Sequence, residues 1–254
     1  MAAKSGIEWT DATWNPVTGC TKVSPGCAHC YAEAITLRFR RGGPFLPGKT
    51  TIKLHPDRLS LPSTWKAPRR IFVNSMSDLF HEEIPLDFIR EIFEVMSQAS
   101  RHTFQILTKR HERLQALANE FVWPENVWIG VSVENQYWAD RRIPPLLTVP
   151  ATVRFLSVEP LLKPVNLGAY LEGIQWVIVG GESGPRARPI QFDWIRDLCK
   201  QCQEASVPFF LKQLGGHPKS RGHDEAILDG QLWREMPKLL QNGARFSSPN
   251  GVRT

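Results

Sequence analysis

The chain has no run of about 18 consecutive apolar residues, so its sequence predicts no membrane-spanning helix. Residues 1–16 lack the apolar stretch of a secretory signal, and the protein is read as cytoplasmic with no membrane partner. Cysteine is scarce, five in 254 residues, which excludes a dense disulfide framework. The seven histidines contain no His-x-His pair, which removes the common metal-dependent amidohydrolase pattern. No GxGxxG and no P-loop occurs, and Gly180-Gly181 alone is a weak sign of a phosphate-cradling turn. There is no internal repeat and no linker separating two halves. The expectation is one domain over 1–254, with a core at about 10–216 and an appended loop and hairpin at 217–254.

The rest of the composition is that of a globular protein, 42% hydrophobic and 22% charged. A formal charge of +6 mildly favours a polyanionic partner or substrate. The basic residues lie in short clusters such as "RFRR" (38–41) and "PRARP" (185–189), with no basic tail.

Short β-rich runs recur at 71–74, 104–107, 127–133, 153–158, 175–180 and 208–212, with a weaker strand somewhere in 12–18. Ile89, Ile92, Phe93 and Met96 repeat at helical spacing after Pro85. Ile195, Leu198, Cys199 and Cys202 do the same after Asp193, a candidate N-cap, and 110–119 and 136–147 suit two further helices. On that stripe Cys199 and Cys202 are expected to pack inward. Strand–helix alternation with nearly continuous apolar strands predicts an α/β fold with a parallel sheet. The broken segment 159–173 makes it a partial or modified TIM-like (β/α) barrel of about six to seven parallel strands. Asp229-Gly230 predicts a type I′ hairpin in the C-terminal extension.

Polar residues collect at and just beyond the end of each strand: Asn74, Ser75, Ser77, Asp78 and His81; Lys109 and Arg110; Ser132, Glu134 and Asn135; Glu159; Glu182; Lys212 and Gln213. In parallel α/β folds these ends share the rim that carries active sites. Any one of them would pass as a cap or turn; six in succession point to a site.

The loop "GCTKVSPGCAHCYAE" (19–33) reaches the same rim and opens a helix. Its thiols, Cys20-x6-Cys27-x2-Cys30, have spacing suited to an iron–sulfur cluster or zinc, with free thiols as the third possibility. His29 sits awkwardly inside the Cys27–Cys30 chelate as a fourth ligand.

The blocks "WNPVTGCTKVSPGCAHCYAE", "VNSMSDLFHE", "LTKR", "GVSVEN", "SVEPLL", "GGESGPRARP" and "FFLKQLGG", spread over 14–216, resemble a phage- and prophage-encoded three-cysteine branch similar to the radical S-adenosylmethionine superfamily and sometimes compared with spore photoproduct lyase. The resemblance implies that Cys20, Cys27 and Cys30 ligate a [4Fe–4S] cluster whose fourth iron takes S-adenosylmethionine. It also implies a flavodoxin- or ferredoxin-like electron donor and hydrogen abstraction from an anionic substrate, a nucleotide or nucleic acid among the candidates.

Two departures stand out. The superfamily loop is Cys-x3-Cys-x2-Cys, with an aromatic where His29 stands. Its Gly-Gly-Glu element follows the second strand, whereas Gly180-Gly181-Glu182 follows the sixth. On the same resemblance Asn74, Ser75 and Ser77 stand near the methionine moiety, Ser132, Glu134 and Asn135 near the ribose, and Glu159 and Glu182 orient cofactor or substrate. Asp78, His81 and Lys212 are the catalytic candidates, and Lys109, Arg110, Arg186 and Arg188 the substrate-binding ones. The alternative class is a non-enzymatic module, stabilised by zinc or iron–sulfur, that binds nucleic acid or a partner.

Overall fold

The computed structural model describes residues 5–39, 43–184, 186–216 and 226–238. In chain order its strands are β1 (Ala12–Trp14), β2 (Val17–Thr18), β3 (Lys53–Leu54), β4 (Arg70–Val73), β5 (Thr103–Thr108), β6 (Val127–Ser132), β7 (Val153–Val158), β8 (Trp176–Gly180), β9 (Phe209–Gln213), β10 (Ile227–Leu228) and β11 (Gln231–Leu232). Its helices are α1 (Tyr31–Phe39), α2 (Leu61–Thr64), α3 (Leu86–Gln98), α4 (His111–Leu117), α5 (Gln136–Leu147) and α6 (Phe192–Glu204). None is long and apolar enough to cross a membrane.

Seven strands pair in the order β1-β4-β5-β6-β7-β8-β9, every pair parallel. Because neighbours follow chain order without a reversal, the sheet curls one way into a half-barrel, as expected. The apolar strands hide a strict alternation. Ile71 and Val73, Val127, Ile129 and Val131, Val177 and Val179, and Phe209 and Leu211 face the layer of helices. Their neighbours Phe72, Trp128, Phe155, Trp176, Ile178 and Phe210 form a separate cluster on the concave side. Trp9 completes that floor, 4.8 Å from Phe72 and 6.2 Å from Trp176 between ring centroids. Gly130 makes room for it: a Cβ there would stand 2.6 Å from the Phe155 ring.

Cover for the convex side comes from helix stripes at helical spacing, Phe88, Ile89, Ile92, Phe93 and Met96 of α3 among them. On α6 the buried stripe includes Cys199 and Cys202, which pack inward as expected. Asp193 is not the N-cap of α6: Gln191 holds that position without a side-chain bond, and Asp193, inside the first turn, pairs with Arg196. The 110–119 helix is shorter than expected, ending at Leu117 in a 3-10 turn. The broken segment before β8 contains one 3-10 turn, Leu171–Gly173, and no α-helix.

Asp229 and Gly230 both adopt positive φ, as a type I′ turn requires. The β10–β11 hairpin packs on the helix side of the sheet. Ala226 and Leu228 bury in the helix-side core, and Asp229 receives the Arg196 guanidinium at 2.8 Å. Beyond it residues 233–235 run antiparallel beside β9, so the sheet edge is paired and not exposed. The remainder of the predicted extension, 217–225 and 239–254, lies outside the described residues, as do Arg40 and Arg41 of the "RFRR" cluster.

Candidate functional site

The alternation that builds the floor also builds the site. One step of two residues beyond Phe72 lies Asn74; beyond Phe155 lie Ser157 and Glu159; beyond Phe210 lies Lys212. Together with Ser132 of β6 these polar residues line a cavity of about 370 Å³ at the carboxyl ends of the strands. Cys20, Cys27 and Cys30 open onto the same cavity, as do Ser75, Ser77, Asp78, Lys109, Gly181 and Glu182. Trp9 forms part of the wall through its place in the aromatic floor.

Several expected site residues instead grip the cysteine loop. Glu134 is fully buried; it accepts a 2.6 Å hydrogen bond from Ser24 and a 3.0 Å one from the equally buried Arg142. Gly26 fits against it so closely that a Cβ would stand 2.5 Å from its Oε1. Glu182 accepts from His29 Nδ1 at 2.9 Å and is clasped by Arg188, which also donates to the Pro25 carbonyl at 2.9 Å. Burial by itself would raise the Glu182 carboxyl; the Arg188 and His29 hydrogen bonds outweigh it and hold it down at about 2. Arg110 donates to the Thr21 carbonyl at 3.1 Å and the Thr21 hydroxyl at 2.9 Å. The loop is therefore tied to the ends of β5, β6 and β8.

His81 does not line the cavity. Its Nδ1 accepts from the Glu83 N–H, so the neutral ring carries its proton on Nε2, which donates to Thr21 at 2.9 Å. Burial, then the nearby Arg110 charge, lowers its proton affinity further. Asp78 reaches the cavity, yet its oxygens already accept from Thr108 at 2.7 Å, Lys109 N at 2.9 Å and Phe80 N at 3.0 Å. Asn135 caps α5, accepting from Trp138 N at 3.2 Å. Gly180 backs the Glu159 side chain, and Arg186 is exposed away from the cavity.

The residues still turned toward the open volume form a smaller set. Lys212 Nζ meets Glu159 at 2.5 Å, and Gln213 Nε2 donates to the same Glu159 oxygen at 3.0 Å. Asn74, held at positive φ, donates no hydrogen bond from its buried Nδ2. Sequence reasoning missed Trp9 and Ser157 as site residues. Ser157 was findable, because it alternates in phase with Phe155 and Glu159; Trp9 precedes the first strand and carries no periodic signal.

The donor set at the cavity is three cysteine thiols. Burial pushes the Cys20 thiol up to about 12, with the Asp78 charge adding to it, and burial likewise raises Cys30. A metal group would have to take these thiols as thiolates, so its binding would release protons and depend on pH. A single zinc with bonds of about 2.3 Å needs its sulfurs clustered around one point. Among the described residues no three His, Cys, Asp or Glu are so grouped. Cys20, Cys27 and Cys30 border one cavity, and cysteine thiolates are ligands of iron–sulfur clusters as they are of zinc.

A second hollow of about 590 Å³ lies outside the barrel between α4 and α5, lined by Lys109, Arg110, Arg113, Tyr137, Trp138 and Arg141 together with Glu82 and Glu112. Lys109 borders both hollows.

Fold and site together define a partial TIM-like β/α-barrel protein with a three-cysteine loop braced across its rim, an architecture consistent with an enzyme. The chain belongs to the family described as Protein of unknown function (DUF5131), whose model matches residues 4–237. Neither the curated proteins nor the solved structures give a match.

Proposed function

We propose that the protein is a radical S-adenosylmethionine-type enzyme in which Cys20, Cys27 and Cys30 hold a [4Fe–4S] cluster. The observation that carries this reading is that all three thiols open onto one cavity at the strand ends, beside polar groups that remain available to a ligand. Held by Cys20, Cys27 and Cys30, such a cluster would supply, when reduced, the electron for cleavage of S-adenosylmethionine and hence for hydrogen abstraction.

The chain's own residues supply position and shelter. Ser24–Glu134–Arg142 and His29–Glu182–Arg188 fix the loop from two sides, so the thiols keep their spacing. The aromatic floor closes the cavity from below. Asn74 Nδ2, Ser132 and Ser157 offer hydrogen bonds to a bound polar ligand, and the Lys212–Glu159 pair presents a charge of each sign to an amino acid moiety. Lys109 and Lys212 suit an anionic substrate, a nucleotide or nucleic acid among them. A flavodoxin- or ferredoxin-like protein would deliver the electron.

The test is anaerobic reconstitution with iron, sulfide and zinc measured together, followed by reduction and an assay for 5′-deoxyadenosine. The reading expects iron–sulfur absorbance that Cys27→Ala abolishes, and deoxyadenosine release from the reduced wild type. A Cys27→Ala protein with a full iron and sulfide complement would sink the ligand assignment. The second reading, a metal-stabilised module without catalysis, draws on the basic hollow between α4 and α5. It expects an inert metal site and no deoxyadenosine at all.

A further inference from the structure

We propose that the hollow between α4 and α5 binds a single-stranded nucleic acid, a base stacking on Tyr137 and the phosphates meeting Lys109 and Arg141. The hollow carries Lys109, Arg110, Arg113 and Arg141 against the carboxylates of Glu82 and Glu112, a net cationic wall. Arg110 is committed to Thr21 and Glu82, and Arg113 to the carbonyls of His81 and Ile84. Lys109, with its ammonium 3.9 Å from Glu134, and the exposed Arg141, which donates to the Tyr137 carbonyl at 3.3 Å, are the cations best placed to meet a ligand.

Tyr137 is not part of the core: 54% of the residue is exposed. The Arg141 guanidinium lies 3.4 Å from its ring centroid, and Trp138 meets it edge-on at 5.1 Å. An exposed ring presented by an arginine beside a cationic wall is the chemistry that takes a base and its phosphate together. A duplex would offer phosphates but keep its bases from Tyr137, and an acidic peptide would offer charge without a planar group to stack. Because Lys109 borders the cysteine cavity as well, a strand held outside is one side chain away from it. That the strand is the substrate rests on the proposed enzymatic reading; that it binds does not.

The test is fluorescence anisotropy of a labelled oligothymidylate of about 12 nucleotides, a length within typical single-strand sites. It uses the full chain without reconstitution, across a salt series. Binding should weaken as salt rises. The double variant Y137A/R141A should bind about ten-fold more weakly or worse, whereas Y137F should bind like wild type. Both residues are exposed, so the variants should keep the wild-type thermal melt. No binding at low salt, equal binding by Y137A/R141A, or equal competition by polyglutamate or duplex would each overturn the proposal. Oligonucleotide binding by a chain that never assembles a cluster would leave the cleft standing and remove the radical reading. Deoxyadenosine release without strand binding would do the reverse.

Discussion

Replacing Arg142 with Met tests the bracing of the cysteine loop most directly. Arg142 and Glu134 are both fully buried, and the guanidinium donates to Glu134 at 3.0 Å and to the Ser132 carbonyl at 2.8 Å. Its plane also lies 4.0 Å from the Trp138 ring centroid. In R142M the methionine restores much of the packing but leaves the Glu134 carboxylate buried without its partner. The Ser24 hydroxyl and a Lys109 ammonium 3.9 Å away are what remains. Breaking a buried pair from one side costs about 3–5 kcal/mol, a large part of the roughly 5–15 kcal/mol that holds an ordinary domain together. Removing the second charge as well, in R142M/E134Q, should return at least about half of that loss, since no uncompensated charge stays inside. The assay is urea denaturation followed by the fluorescence of the nine tryptophans. A single variant that loses less than about 1 kcal/mol, the range of an exposed pair, would refute the reasoning. So would a double variant no more stable than the single. On the proposed reading, iron bound after reconstitution should follow the same order, with R142M lowest, because Glu134 holds the loop through Ser24.

The Glu182 latch makes stability depend on acid. Its carboxyl is held at about 2 against an ordinary value of 4.5, so its contribution is fully present above about pH 5 and is lost as pH falls toward 2. E182Q should therefore cost roughly 3 kcal/mol near neutral pH and nearly nothing at pH 2; a deficit independent of pH in urea melts would contradict the assignment. Gly130→Ala should destabilise by about 1–3 kcal/mol through collision with Phe155, and an unchanged urea midpoint would show that the floor yields. Trp9→Ala should cost about 3–5 kcal/mol and open the cavity floor, measured as a lower midpoint together with increased binding of a hydrophobic dye.

The architecture was largely legible because parallel strands buried on both faces must be apolar and must alternate with helices. The six main runs, the hairpin turn and the inward cysteines of α6 all follow from local pattern. The site was legible only as a set of strand ends. Glu134, Asn135 and Asp78 follow β6 and β4 in the same way as Ser132 and Asn74, yet one braces, one caps and one clamps. Nothing in spacing separates these roles, since each depends on which partner the fold brings to the carboxylate or amide. Trp9 lay outside the expected core for a related reason: its place is fixed by rings from three distant strands, Phe72, Phe155 and Trp176.

From the sequence alone came the parallel α/β order, the rim of polar strand ends and a loop of three thiols opening a helix, because periodicity and thiol chemistry are local properties. The tertiary structure decided which of those groups face an open cavity and which hold the loop still. Burial and hydrogen-bond partners make that choice, and they come from residues as far apart in the chain as His29 and Glu182.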